Sequence, residues 1–213
     1  HILARFIPQK DAMDSLLQGK TKAIVIARDI TEKERTFLTQ KRHIVKSCKI
    51  AVDALALIVN PENTIEVLSK QEISDILSGK VKNWNEIELN KTGEFKVVFD
   101  DESSSTVQYM RDSLLNGQPF GDNVFAQDSI QGVFDAVKNH KNAIGIIGVS
   151  WITSDMQRNI STEDLAKEVN DENPNTIAEF VNSVKLLRVL NSSAVACKPY
   201  QQNIYDGSYP LFR

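Results

Sequence analysis

Apolar positions along this chain fall into two rhythms, short continuous runs and stripes at helical spacing, and the two alternate. Residues 2–7 predict a short strand closed by Pro8. Met13, Leu16 and Leu17 predict a helix over residues 10–18, stopped at Gly19. The run Ala23-Ile24-Val25-Ile26-Ala27 predicts a buried parallel strand. Thr31-x-x-Glu34 is a capping box and opens a helix. Residues 50–59 form the strongest predicted strand, halted by Asn60-Pro61, and Ser69-x-x-Glu72 is a second capping box whose helix ends at Gly79. Residues 95–99 alternate as a strand. Ser105 or Thr106 caps the next helix, which carries Val107, Met110, Leu114 and Leu115. Ser129 caps another, with Ile130, Val133, Phe134 and Val137 on one face. Residues 143–149 return to buried strand, Ser161-x-x-Asp164 opens a further helix, 170–176 read as a surface loop, and 183–190 as a strand. Alternating strand and helix imply an α/β fold with a largely parallel or mixed sheet.

Composition narrows the classes. The chain has 213 residues, 41% hydrophobic and 25% charged, which suits a globular protein. Lys and Arg number 25 against 28 Asp and Glu, a net charge of −3, so no basic footprint for nucleic acid exists. Residues 1–50 hold eleven basic against five acidic side chains, and the remainder fourteen against twenty-three, which hints at two parts with different surfaces. The longest strongly apolar run, residues 54–59, is too short to span a membrane. The chain starts at His1 without an initiator Met, directly in an apolar run, and is read as shorter than its natural length. Cys48 and Cys197 make no disulfide framework; each reads as a simple thiol, with a single bridge between them open if the protein is exported.

The segment richest in chemistry runs from Lys96 to Thr106: a strand, a small polar loop, then a helix. In open α/β sheets ligands gather at the carboxyl ends of strands. The first turn of a helix there offers unpaired N–H groups and a partial positive charge. Ser103, Ser104, Ser105 and Thr106 add hydroxyls, and together these groups suit an anion without any lysine. The plainer alternative is that they only cap the helix and shape the turn. Arg28 follows the predicted strand 23–27 and is a second candidate for the anion, against a simple salt bridge to Asp29 or Glu32. His1, His43 and His140 are scattered, so no metal site is expected. No glycine-rich nucleotide loop and no nucleophile elbow is present, so no cofactor and no catalytic residue is expected. A serine hydrolase built on Ser104 or Ser150 would lack an evident His partner.

Five motifs in order resemble the PstS-like phosphate-binding proteins of ABC transporters. Residues 51–61 resemble that family's inter-domain strand. Residues 71–80 with Asn83-Trp84 resemble its next helix and turn. Ser104-Ser105-Thr106 stands where the family has Ser-Gly-Thr at a helix start. Residues 143–148 resemble its Ile-Gly-Tyr strand, and residues 207–213 its Gly-x-Tyr-Pro-Leu-x-Arg. The resemblance implies a periplasmic-binding-protein-like fold of type II: two α/β lobes with the anion in the cleft, one lobe nearly complete and the other incomplete. Residues 1–50 and 184–213 would belong to the first lobe and 51–183 to the second. It further implies an extracytoplasmic solute-binding protein, not an enzyme. The ligand would be inorganic phosphate or a similar oxyanion, bound by Arg28, Ser103, Ser104, Ser105 and Thr106. The partners would be the permease subunits of an ABC transporter, with membrane attachment only through a lipid anchor outside this chain. With one cleft wall incomplete, weak binding is expected, and apolar positions such as Ile24, Val25 and Ile26 would lack covering partners.

Two departures from the family pattern stand out. Asp100 occupies the position where many members carry Arg, and Ser105 replaces the central Gly. The acidic run Asp100-Asp101-Glu102 would repel a dianion unless a carboxylate accepts a proton from it. The competing expectation is therefore a sensory or adhesive module of the same fold with a changed or lost ligand.

Overall fold

The computed structural model describes residues 5, 7–89, 91–151 and 184–213. The helix and strand expected at residues 161–164 and at the start of 183–190, and the loop 170–176, lie wholly or partly outside them. Among the described residues the sequence order is α1 (Gln9–Leu17), α2 (Glu32–Gln40), β1 (Leu55–Val59), β2 (Val67–Ser69), α3 (Lys70–Leu77), β3 (Lys96–Phe99), α4 (Ser105–Leu114), β4 (Val124–Ala126), α5 (Ile130–Asn139), β5 (Ala143–Gly148), β6 (Lys185–Leu186), β7 (Arg188–Leu190), β8 (Ala196–Cys197) and α6 (Gln201–Tyr205). None of these helices is long and apolar enough to cross a membrane.

The central sheet has the order β4-β3-β5-β1-β6. β3 runs parallel to β4 and β5, whereas β1 is antiparallel to β5 and β6. The mixed sheet expected from the alternation is thus present. β1 and β5 are buried along their whole length because both faces are covered. Leu55, Leu57, Val59, Val97, Phe99, Ile144 and Ile146 point to one side, where Val107 and Met110 of α4 and Ile73, Ile76 and Leu77 of α3 meet them. Ala56, Ile58, Val98, Ala143 and Ile147 point to the other side, where Val133 and Val137 of α5 pack. A second, three-stranded sheet, β2-β7-β8, abuts the first. Leu187, between β6 and β7, is where the predicted strand 183–190 changes sheets. Val184, Leu187, Val189, Cys197, Tyr209 and Leu211 all contribute to the two clusters built on β1, β3 and β5.

The two capping boxes and the Ser129 cap form as expected. Thr31 and Ser69 each accept a hydrogen bond from the N–H three residues on, and Glu34 and Glu72 return the bond to the cap backbone. Ser129 accepts from the Gly132 N–H at 3.2 Å. Gly79 ends α3 with φ +72°, a conformation that favours glycine.

Two strand expectations fail for one physical reason. Residues 23–27 form no strand among the described residues, and Val25 is 78% exposed. The strand expected to begin at residue 50 begins at Leu55, and Ile50 and Val52 are exposed. The strand expected at residues 2–7 lies mostly outside the described residues. An apolar run becomes a strand only where neighbours take its N–H and C=O groups. Cys48 is exposed and Cys197 buried, and both are free thiols.

Close packing of α5 on the sheet depends on Gly145. A Cβ there would lie 2.7–2.9 Å from side-chain carbons of Ile58, Val133 and Val137. Gly145→Val should therefore lower the unfolding free energy by about 1–3 kcal/mol through overpacking. Urea unfolding followed by circular dichroism checks this, with the midpoint falling and the slope unchanged.

Candidate anion site

The carboxyl end of β3 runs into a loop that its own side chains shape. Asp101 Oδ1 accepts the Ser103 N–H at 2.6 Å and the Ser103 hydroxyl at 2.5 Å. The Asp101 carbonyl accepts the Ser104 N–H at 3.1 Å. These bonds, the Ser103 hydroxyl first, hold the exposed Asp101 carboxyl below its usual range. The turn then hands over to α4 at Ser104, whose backbone is extended and whose hydroxyl accepts the Val107 N–H at 3.2 Å. The cap is thus Ser104, not Ser105 or Thr106. The Asp101 turn sets the chain direction one residue earlier than the hydroxyl pattern suggests. Ser105 and Thr106 occupy the first two helical positions, where N–H groups have no carbonyl a turn earlier to bind. Thr106 is buried and Ser105 half-buried.

Of the four hydroxyl residues, Ser103 is engaged with Asp101 and Ser104 with the helix, while Ser105 and Thr106 share the first turn. Asp100 heads the loop, and its Oδ1 is buried with no hydrogen-bond partner among the described residues. No group of three His, Cys, Asp or Glu among the described residues could hold a metal.

Arg28 makes no hydrogen bond to this loop among the described residues. Its Nη1 and Nη2 donate to the two carboxylate oxygens of Glu34 at 2.9 and 2.7 Å, and Nη1 also donates to the Asp29 carbonyl at 2.9 Å. The partner is thus Glu34, where Asp29 or Glu32 was expected. Glu34 is the acid of the Thr31 capping box, so one carboxylate serves both the helix cap and the guanidinium. The Arg28 hydrogen bonds pull the Glu34 carboxyl down to about 2 and raise Arg28 in turn. Asp29 accepts from the Ser47 hydroxyl at 2.8 Å and the Ile30 N–H at 2.7 Å, which lowers its pKa.

The residues 9–28 are nevertheless brought to α4. Gln9 accepts the Ala27 N–H at 2.8 Å through its side-chain oxygen and donates through Nε2 to Gln108, one helical turn beyond Ser104. Arg28 is close enough to Asp112 of α4 for that charge to raise its pKa further. No spacing rule signals Gln9 and Gln108, which are 99 residues apart.

A second group of residues lies along the same sheet edge. Asp53 and Arg213 exchange backbone hydrogen bonds of 3.0 and 2.8 Å, and the Leu55 N–H donates to the Leu211 carbonyl at 2.8 Å. Arg213 also donates from Nε and Nη2 to Asp53 Oδ2, at 3.3 and 3.0 Å. Tyr109 of α4 donates its hydroxyl to the Phe212 carbonyl at 2.8 Å, and burial raises its pKa. Tyr209 donates to the Leu55 carbonyl at 2.7 Å, and burial again pushes the phenol well above its usual range.

Comparison with known proteins bears on the family and the fold. The family model described as a PBP superfamily domain matches residues 8–213. The phosphate-binding protein PstS of Staphylococcus saprophyticus is 23% identical over 202 residues, which cover 94% of this chain and 55% of that protein. PstS of Staphylococcus aureus is 25% identical over 190 residues, 88% of this chain and 50% of that protein. The chain therefore spans about half the length of these relatives. In three dimensions it is similar to an ABC-type phosphate transport receptor from Vibrio cholerae, with a TM-score of 0.66 and 18% identity over 96% of this chain and 69% of that one. It is also similar to PstS from Borrelia burgdorferi, with a TM-score of 0.61 and 21% identity over 96% of this chain and 69% of that one.

The Arg28–Glu34 pair has a pH signature. The Glu34 pKa falls from an ordinary 4.5 to about 2 on folding, so its stabilisation is complete above pH 4.5 and is lost as the pH falls towards 2. Acid unfolding of Glu34→Gln should lack that increment, and a melting-temperature series from pH 6 to pH 2 measures it.

Proposed function

Because the chain belongs to the PBP superfamily, we propose that it is the ligand-binding part of an extracytoplasmic solute-binding protein for inorganic phosphate. The protein would deliver its ligand to the permease of an ABC transporter. The observation that carries this reading is the seating of Ser105 and Thr106 in the first turn of α4, at the carboxyl edge of β3. In this reading the N–H groups and hydroxyls of Ser105 and Thr106 act there with the helix dipole, in a half-buried place where hydrogen bonds to an anion are strong. The phosphate-binding names of the relatives at 23–25% identity supply the ligand class.

Arg28 has a different part in this reading from the one its position in the sequence implied. Its two terminal nitrogens are matched by Glu34, so it contributes shape and field at the wall that residues 9–28 form, and the first contacts to the anion fall to Ser105 and Thr106. Ser103 and Ser104 hold the turn that presents them. Gln9, bridging Ala27 to Gln108, draws that wall against α4, as a cleft closing on a ligand requires.

Calorimetric titration of the 213-residue chain with phosphate and with sulfate tests the reading. Heat with phosphate at micromolar to millimolar concentration is expected. Thr106→Val, which keeps the shape and removes one charge-assisted bond, should weaken phosphate about tenfold or more, since such a bond contributes about 1.5–3 kcal/mol. Absence of heat with either anion would sink the proposal and favour the sensory or adhesive module, for which Asp100 and its acidic neighbours speak.

A further inference from the structure

We propose that Arg213 supplies the positive charge of the anion site, facing α4 from the strand crossing, with Asp53 as the carboxylate that competes with the anion for its guanidinium. The inference rests on the phosphate reading and adds the residue on which that reading is silent. The loop before α4 carries only carboxylates, at Asp100, Asp101 and Glu102. Both terminal nitrogens of Arg28 are taken by Glu34, and only its Nε, also buried, has no partner among the described residues. An oxyanion held there by neutral donors alone would meet uncompensated negative charge.

Arg213 is placed to answer it. Its side chain is only 9% exposed. Nε and Nη2 are bound to Asp53, but Nη1 is buried with no hydrogen-bond partner among the described residues. A buried guanidinium donor left unmatched is costly, so an acceptor is wanted at that point.

The register of the strands says where that point is. Asp53 faces Arg213 across the crossing, and Leu55 and Leu211 form the next pair on the same side. Both leucines belong to the cluster under α4, so the ion pair lies on the α4 face of the sheet. Leu55 is opposite Gly148, the last residue of β5, and β5 runs parallel to β3. The Asp53–Arg213 pair therefore lies at the same sheet edge as the start of α4. β1 is two strands from β3, and residues 211–213 pair with the side of β1 that faces away from β5, so the Arg213 backbone lies three strand spacings, roughly 14 Å, from β3. Tyr109, one turn beyond Ser105, bonds to the Phe212 carbonyl and feels the Arg213 charge. An anion at the first turn of α4 thus meets hydroxyls and N–H groups on one side and Arg213 on the other.

Phosphate calorimetry on the unaltered chain, Arg213→Gln and Asp53→Asn decides the matter. Arg213→Gln should bind phosphate ten- to a hundredfold more weakly while keeping its near-ultraviolet circular dichroism. Unchanged affinity overturns the inference and leaves the phosphate reading standing. Asp53→Asn removes the competing carboxylate and should tighten phosphate severalfold, with a steeper salt dependence. A pair with a merely structural role would instead lose affinity in both variants. Should Arg213→Gln fail to fold, Asp53→Asn decides alone: tighter binding supports the inference, and equal or weaker binding overturns it. No binding by the unaltered chain overturns both this inference and the phosphate reading.

Discussion

The antiparallel crossing of residues 53–55 with residues 211–213 is the constraint from which the rest of the layout follows. Its backbone bonds place Asp53 beside Arg213 and Leu55 beside Leu211, although 160 residues separate the members of the ion pair. β1 leaves this crossing directly into the centre of the sheet, between β5 and β6. Tyr209 adds a buried hydrogen bond to the Leu55 carbonyl, and Tyr109 ties α4 to the Phe212 carbonyl. The helix that carries the hydroxyl cluster is therefore anchored to the same short ladder that anchors the sheet.

The polar chemistry at that edge is economical with charge. Asp101 spends its carboxylate on the turn, and Glu34 spends its own on a helix cap and on Arg28. What remains unmatched at that edge among the described residues are the first N–H groups of α4 and one Arg213 nitrogen, which suit an anion, and the buried Asp100 Oδ1, which does not. The net charge of −3 makes long-range attraction of an anion ineffective, so binding must rest on short, directed contacts inside the fold.

The elements that local chemistry specifies were legible. Both capping boxes, the Ser129 cap and the glycine stop at Gly79 depend on atoms within four residues of one another, and each forms as its spacing implies. Strands buried on both faces, such as β1 and β5, announced themselves by unbroken apolar runs. The same signal misled at residues 23–27, because an apolar run states what it would bury and not whether a neighbouring strand is there to pair with it. At the candidate site the hydroxyl cluster was readable, and its exact cap was not. Ser104 caps because the Asp101 carboxylate bends the preceding loop, a choice between adjacent serines that composition leaves open.

The sequence by itself determined the α/β class, the helix starts, the family motifs and the position of the Ser/Thr helix start, since all of these depend on residues near one another in the chain. Only the tertiary structure decided which charges are already matched and which remain available. Arg28 looked available, yet both its terminal nitrogens are held by Glu34, whereas Arg213 closes a motif without apparent chemistry and keeps one terminal nitrogen buried and unpaired. Partners such as Asp53 and Arg213, or Gln9 and Gln108, are set by strand crossing and helix packing. No local pattern encodes those distances, because they are fixed only when the sheet has formed and its faces are buried.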